Sequence, residues 1–262
     1  MSPYQERPGQ DDSGRLRARP RPRAVRALPP GRHRLGLGLG HGRDGLLYVP
    51  AEREEPSPLV VLLHGAGGAA EAGIELLREH ADEHGLLLLA PDARRATWDR
   101  VRGTFGPDVA FVQRALQQLL ARHPVDPRRV ALGGFSDGAS YALSLGLGNG
   151  DLFTHLIALS PGFAAPPVRV GRPRIFVSHG VEDEVLPIDR CSRRLVPMLR
   201  EEGYDVRYEE FADGHAVPPW LAAEAVRWFA AADGPDGTAP AGAGGAGGHG
   251  ASGGPPRPGK QG

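Results

Sequence analysis

Short apolar runs alternate with amphipathic stretches from residue 32 to residue 232. This alternation predicts an α/β domain with a mostly parallel central sheet and helices on both faces. Three observations carry that expectation. Leu59-Val60-Val61-Leu62-Leu63 is apolar without interruption, as a strand buried on both faces requires. Val109, Val112, Leu116, Leu119 and Leu120 recur at helical spacing behind Pro107 and Asp108, which suit a first helical turn. Gly134-Phe135-Ser136-Asp137-Gly138 stands between the apolar run Val130-Ala131-Leu132-Gly133 and a helix-forming stretch, so strand passes to helix through a tight turn.

The elements follow in order. Residues 32–39 and 45–49 read as a hairpin joined through Gly40-His41-Gly42. The strand at 59–63 is followed by a helix over 70–84 and a second buried strand at 86–90. After the helix that begins near Pro107, Val125-Asp126-Pro127 leads into the strand before Ser136. Strands are expected at 153–159, 174–178 and 204–211, with helices over 187–202 and 218–231. In a sheet of this kind ligands bind outside the carboxyl ends of the strands, where the loops discussed below emerge.

Domain boundaries follow from composition. Residues 1–28 form an arm rich in arginine and proline, with Arg15, Arg17, Arg19, Arg21, Arg23 and Arg26 set among small residues. Residues 233–262 are almost entirely Gly, Ala and Pro. Neither end holds enough apolar surface to offset the chain entropy lost on ordering, so both are expected to be disordered around a domain at 29–232. Acidic and basic residues balance at 31 each, which gives no general case for binding nucleic acid or a membrane surface. No apolar leader and no 18-residue apolar run is present, so neither export nor a membrane span is expected. Cys191 is the single cysteine, which excludes an internal disulfide and suits a reducing, cytoplasmic setting. No cluster has metal-ligand spacing.

A serine between glycines on a strand-to-helix turn has its hydroxyl raised above the sheet edge. Such a hydroxyl is a poor nucleophile unless a base takes its proton and a carboxylate holds the base. The loop 179–187 offers Glu182, Asp183 and Glu184, and the loop 212–218 offers His215. Each follows a different expected strand, so the three loops project from one edge in the order serine, acid, histidine.

HGAGG at 64–68, GFSDGA at 134–139, HGVEDEVLP at 179–187 and DGHAVP at 213–218 together resemble the α/β-hydrolase superfamily. Within it they are most similar to the phospholipase/carboxylesterase family, which includes acyl-protein thioesterases and has dienelactone hydrolases as relatives. The likeness covers about residues 32–232. It implies the α/β-hydrolase fold and a serine hydrolase acting on small acyl esters or thioesters without a cofactor. Ser136 would be the nucleophile, His215 the general base and Asp183 the orienting acid. The family places its acid fifth in H-G-x-x-D-x-x-V-P, which selects Asp183; Leu186 stands where valine is common. The backbone N–H groups of Ala66 and Asp137 would form the oxyanion hole. Asp137 is unusual there, and its carboxylate is expected to turn away toward the helix dipole. In the loop 93–105, Trp98 and Phe105 are candidates for an acyl-pocket wall or for packing of the loop itself. Arg94, Arg95, Arg100 and Arg102 offer a landing for an anionic substrate or a solvated loop surface. Alternatives under the same resemblance are an acyltransferase, a depolymerase or feruloyl-esterase type of hydrolase, and a non-catalytic binding protein on this fold.

Overall fold

A computed structural model of the chain describes residues 13–20, 27–37 and 42–231. Among them eight strands form one sheet in the order β1-β2-β4-β3-β5-β6-β7-β8. The strands are β1 (Gly31–Arg34), β2 (Gly45–Val49), β3 (Ser57–Leu63), β4 (Leu87–Pro91), β5 (Val125–Phe135), β6 (His155–Leu159), β7 (Arg174–Gly180) and β8 (Val206–Phe211). β2 runs antiparallel to β1 and β4, and every pairing from β4 through β8 is parallel. The helices are α1 (Ala70–Glu75), α2 (Arg78–Ala81), α3 (Pro107–Leu120), α4 (Asp137–Gly146), α5 (Ser192–Glu201) and α6 (Pro219–Ala230).

The unbroken apolar run in β3 is explained by two cores, one on each face of the sheet. Leu59, Val61 and Leu63 join Phe111, Leu116 and Leu143 on one side, while Val60 and Leu62 join Ile74, Val226 and Phe229 on the other. All five β3 side chains are inaccessible to solvent, and burying each leucine or valine contributes about 1.5–3 kcal/mol. A strand so placed has no polar face to offer.

Three elements differ from the sequence pattern. The helix expected over 70–84 is broken into α1 and α2 at Leu77, whose backbone leaves helical geometry while its side chain enters the core. β5 starts at Val125 rather than at Val130, and Pro127 is accommodated where the pairing with β3 slips register. The helix expected over 187–202 begins instead as a 3-10 turn at Ile188–Arg190, and α5 starts beyond Cys191.

The N-terminal arm also departs from expectation within the stretch 13–20. Leu16 and Ala18 are buried in the first core. Asn149 clasps the segment from both sides: its Oδ1 accepts the Leu16 N–H at 2.8 Å, and its Nδ2 donates to Gly14 O at 2.9 Å. Arg15 adds a two-pronged ion pair to Asp151. Composition counts the apolar surface an arm brings, not the groove another part of the chain offers it, so this docking had no local signal. The tail at 233–262 lies outside the described residues.

Candidate active site

Ser136 joins β5 to α4 with φ 58° and ψ −121°, a conformation that costs a non-glycine residue about 1–3 kcal/mol. The surroundings hold it there. A Cβ on Gly134 would come within 2.6 Å of Gly138 and of Leu63 O, and one on Gly138 would overlap the carbonyl oxygens of Leu63 and His64. Both glycines are therefore demanded by the close approach of α4 to the end of β3. The Ser136 N–H is anchored on Leu159 O at 2.9 Å, and its carbonyl accepts from the N–H and the hydroxyl of Ser140.

The loops after β7 and β8 bring two further groups to this turn. His215 Nε2 lies 2.9 Å from Ser136 Oγ, and its Nδ1 lies 2.6 Å from Asp183 Oδ2. A carboxylate accepts only, so Nδ1 carries the proton and Nε2 is free to accept the serine hydroxyl. Phe135 lies against the imidazole with ring centroids 4.6 Å apart. Asp183 Oδ1 accepts the N–H groups of Val185 at 2.9 Å and Leu186 at 2.7 Å. Burial pushes the Asp183 carboxyl up, but the Leu186 amide together with His215 and His179 outweighs it and holds it below the ordinary carboxylate value. Glu182 and Glu184 take no part in this line of contacts.

Asp137 is the first residue of α4, where an N–H has no intrahelical acceptor. Its carboxylate takes the Thr97 hydroxyl at 2.6 Å. Ala66 sits in the loop after β3, which is braced by its surroundings: Gly67 N–H donates to Ala96 O at 2.7 Å and Gly68 N–H to Gly65 O at 3.1 Å. His64 Nδ1 donates to Gly65 O at 2.7 Å while its Nε2 accepts the Ala93 N–H at 3.0 Å. Since Gly65 C=O and Ala66 N–H belong to one planar peptide, fixing the carbonyl fixes the direction of the donor. Burial, foremost, keeps His64 below its ordinary pKa, consistent with this neutral tautomer.

Trp98 and Phe105 are buried, and both pack on Tyr141 with centroids 5.0 and 5.5 Å away. Trp98 Nε1 donates to His64 O at 2.9 Å, so its visible task is bracing the loop that holds Ala66. Phe105 lies under Gly14 of the arm. Two of the four loop arginines are engaged by backbone. Arg94 donates to Arg43 O and Asp92 O, and Arg100 to Ala165 O through two nitrogens. Sequence reasoning missed what Ser140 and Ser144 do. Their hydroxyls accept the N–H groups of Gly162 and Ala165 at 2.9 Å, tying the loop after β6 to α4. The four-residue spacing of Ser136, Ser140 and Ser144 was the available signal.

Strand order, elbow and loop placement give the α/β-hydrolase fold, with helices on both faces of a mostly parallel sheet. Several of the proteins the chain is similar to are esterases. Esterase PE8 superposes with TM-score 0.59 at 25% identity, covering 71% of this chain and 96% of that one. A thermostable esterase gives TM-score 0.58 at 25% identity over 70% of this chain and 57% of that chain. Among curated proteins, the chain is 29% identical over 166 residues to the putative esterase NocK of Nocardia uniformis subsp. tsuyamanensis, covering 58% of this chain and 46% of NocK. It is 29% identical over 158 residues to the bifunctional acetylxylan esterase/xylanase XynS20E of Neocallimastix patriciarum, covering 56% of this chain and 22% of that protein. The chain thus spans less than half the length of these two curated relatives. No family model matches the chain.

Proposed function

We propose that this chain is a serine hydrolase that cleaves carboxylic esters through an acyl-enzyme. The observation that carries the reading is the unbroken line Ser136 Oγ, His215 Nε2, His215 Nδ1, Asp183 Oδ2, with links of 2.9 and 2.6 Å. Ser136 attacks the acyl carbonyl as His215 takes its proton, and the negative oxygen is received by the N–H groups of Ala66 and Asp137. His215 returns the proton to the leaving alcohol, and water then releases the acyl group by the same steps in reverse order. Val181, Val185 and Trp220 stand exposed on or beside the loops carrying Asp183 and His215. Such an apolar rim favours a small ester with an apolar acyl or alkoxy part over an anionic one. The chemistry calls for no cofactor, and we place the enzyme in the cytoplasm.

A fluorophosphonate probe tests the reading directly. It should label Ser136 in the intact chain and leave Ser136→Ala unlabelled, and that variant should lose ~10⁴- to 10⁶-fold in turnover of a p-nitrophenyl ester. A labelled Ser136→Ala protein, or unimpaired turnover, rejects it.

A second reading differs in the leaving group. Two similar proteins carry the name acetylxylan esterase and a third, from Aspergillus niger, is a probable feruloyl esterase, which favours an ester borne on a sugar hydroxyl. Acyl esters of rising chain length, an acyl thioester and acetylated xylan, assayed side by side, separate the readings by kcat/KM.

A further inference from the structure

Behind the line from Ser136 to Asp183 stands a second imidazole. We propose that His179 is a positioning residue for Asp183, holding both the carboxylate and the loop that carries it in the orientation His215 needs. The proposal rests on the reading of Ser136, His215 and Asp183 given above.

His179 lies near the end of β7 and is inaccessible to solvent. Its Nε2 is 2.7 Å from Leu186 O, and a carbonyl oxygen only accepts, so Nε2 carries the proton. Nδ1 then accepts the hydroxyl of Ser192, the first residue of α5, at 2.7 Å. Burial, the largest influence, keeps the ring below its ordinary pKa, so it is neutral with one tautomer at pH 7. The same Nε2 faces Asp183 Oδ2 at 3.2 Å. Oδ2 is therefore bracketed by two imidazoles, His215 at 2.6 Å and His179 at 3.2 Å. Leu186 is fixed at both ends, its N–H on Asp183 Oδ1 and its C=O on His179. Its side chain faces Gly162, whose N–H is held by Ser140 Oγ one turn beyond Ser136. Through His179 the acid's loop is keyed to α5, and through Leu186 it abuts the loop docked on the helix that follows the serine.

What separates this role from plain packing is charge. The His179 N–H, donated chiefly to Leu186 O, also lies 3.2 Å from Oδ2, where it shares the negative charge and weakens the pull of Asp183 on the His215 proton. Without it, Asp183 pulls harder on the proton at His215 Nδ1. The acidic limb of kcat/KM then moves to higher pH. Among the described residues, the other titratable groups facing the pair are Cys191 and Glu210. Burial foremost, then the Asp183 charge, pushes the Cys191 thiol up, and the Arg193 hydrogen bond foremost holds Glu210 down. Both shifts point away from neutral pH.

The test is the pH dependence of kcat and KM for a p-nitrophenyl ester, with the full chain, for wild type, His179→Phe, His179→Gln and Ser192→Ala. His179→Phe should lower kcat by about 10²-fold with KM unchanged, the cost of a misplaced catalytic group, and should raise the acidic limb. His179→Gln keeps an N–H donor and should recover most of kcat and the wild-type limb. Ser192→Ala frees the ring without touching Asp183 and should move the limb upward by less. Wild-type kcat and limb in His179→Phe would overturn the proposal, as would equal losses in Phe and Gln variants with an unmoved limb. If His179→Phe does not fold, an unmoved limb in Ser192→Ala overturns it. Fluorophosphonate labelling of the wild type is read in parallel. No adduct at Ser136 rejects the underlying reading, whereas a wild-type adduct with no His179 effect rejects the positioning role alone.

Discussion

Asp183, on the loop after β7, and Asp108, in the first turn of α3, are almost equally buried, 5% and 2% exposed, yet their carboxyls shift in opposite directions. Asp183 is held below the ordinary value and Asp108 is raised. Asp99, beside Asp108, is pushed up to about 6, first by burial and then by the neighbouring Asp108 charge. Supply of donors explains the order. Asp183 faces two backbone amides and two imidazoles. Asp108 takes the amides of Arg94 and Asp99. Asp99 takes the Asp108 amide at 2.8 Å, with smaller help from the Tyr141 hydroxyl and the Gly106 amide. Burial alone would raise all three; hydrogen bonds decide which one is held below its ordinary value. The loop carrying Asp183 is thus well supplied with donors for a negative charge, while the loop 93–105 carries charge it is poorly equipped to hold.

The largest expected effect lies in the first of these regions. Asp183→Asn keeps the shape and the two backbone amides but reverses what Oδ2 offers to His215 Nδ1, allowing the wrong tautomer. Turnover of a p-nitrophenyl ester should fall by about 10⁴-fold with the fold intact by circular dichroism. A loss of tenfold or less would mean that His215 is oriented by Phe135 and its loop rather than by the carboxylate.

A smaller effect sharpens the contrast between hydrogen bonding and steric fit. The elbow is held by contact, since a Cβ at Gly138 would overlap Leu63 O and His64 O. Gly138→Ala should displace Ser136 and cost about 10²-fold in kcat, with about 1–3 kcal/mol of stability lost to overpacking. Gly67→Ala is the control, because none of the described residues lies within 4 Å of its Cβ position and only its φ of +71° is strained. Unfolding in urea and steady-state kinetics on the two variants separate steric fit from backbone strain.

The same division runs through what the sequence discloses. β3, the elbow glycines and the order of the three loops were legible because each depends on residues adjacent in the chain: an apolar run, a tight turn, a loop following a strand. Trp98 and Phe105 were not, because whether an aromatic in a loop lines a pocket or packs inward depends on partners such as Tyr141 and Gly14. The docking of Leu16 needed Asn149, and the bond from Thr97 needed Asp137, both from distant segments. Local chemistry declares itself; long-range hydrogen bonds do not.

Stability against pH distinguishes the two loops without any substrate. Asp99 has a folded pKa of about 6 against an ordinary 3.8, so the folded chain binds more protons than the unfolded one between those values. Its contribution is present below pH 3.8 and is lost as pH rises to about 6. Asp183 has the opposite sign: its folded value is depressed, and its contribution is present above the ordinary carboxylate value and lost at lower pH. Asp99→Asn should therefore flatten the decline in Tm between pH 4 and 6 and leave the acid-side loss below pH 3.8 in place. An unchanged decline in that variant would show that Asp99 is not the group responsible.

The smallest effect tests the argument where water can replace a missing donor. Asp151 is 35% exposed and is held below its ordinary pKa, first by the hydrogen bond from Arg15, then by the Arg19 and Arg15 charges against burial. If donor supply matters only where solvent is excluded, removing Arg15 there should cost little. Arg15→Ala should lower stability by no more than about 1 kcal/mol, and salt near 1 M should erase most of the difference. A larger, salt-resistant loss would mean that the arm segment 13–20 behaves as part of the buried core. In that case the rule drawn from Asp183 and Asp99 would reach to the edge of the domain.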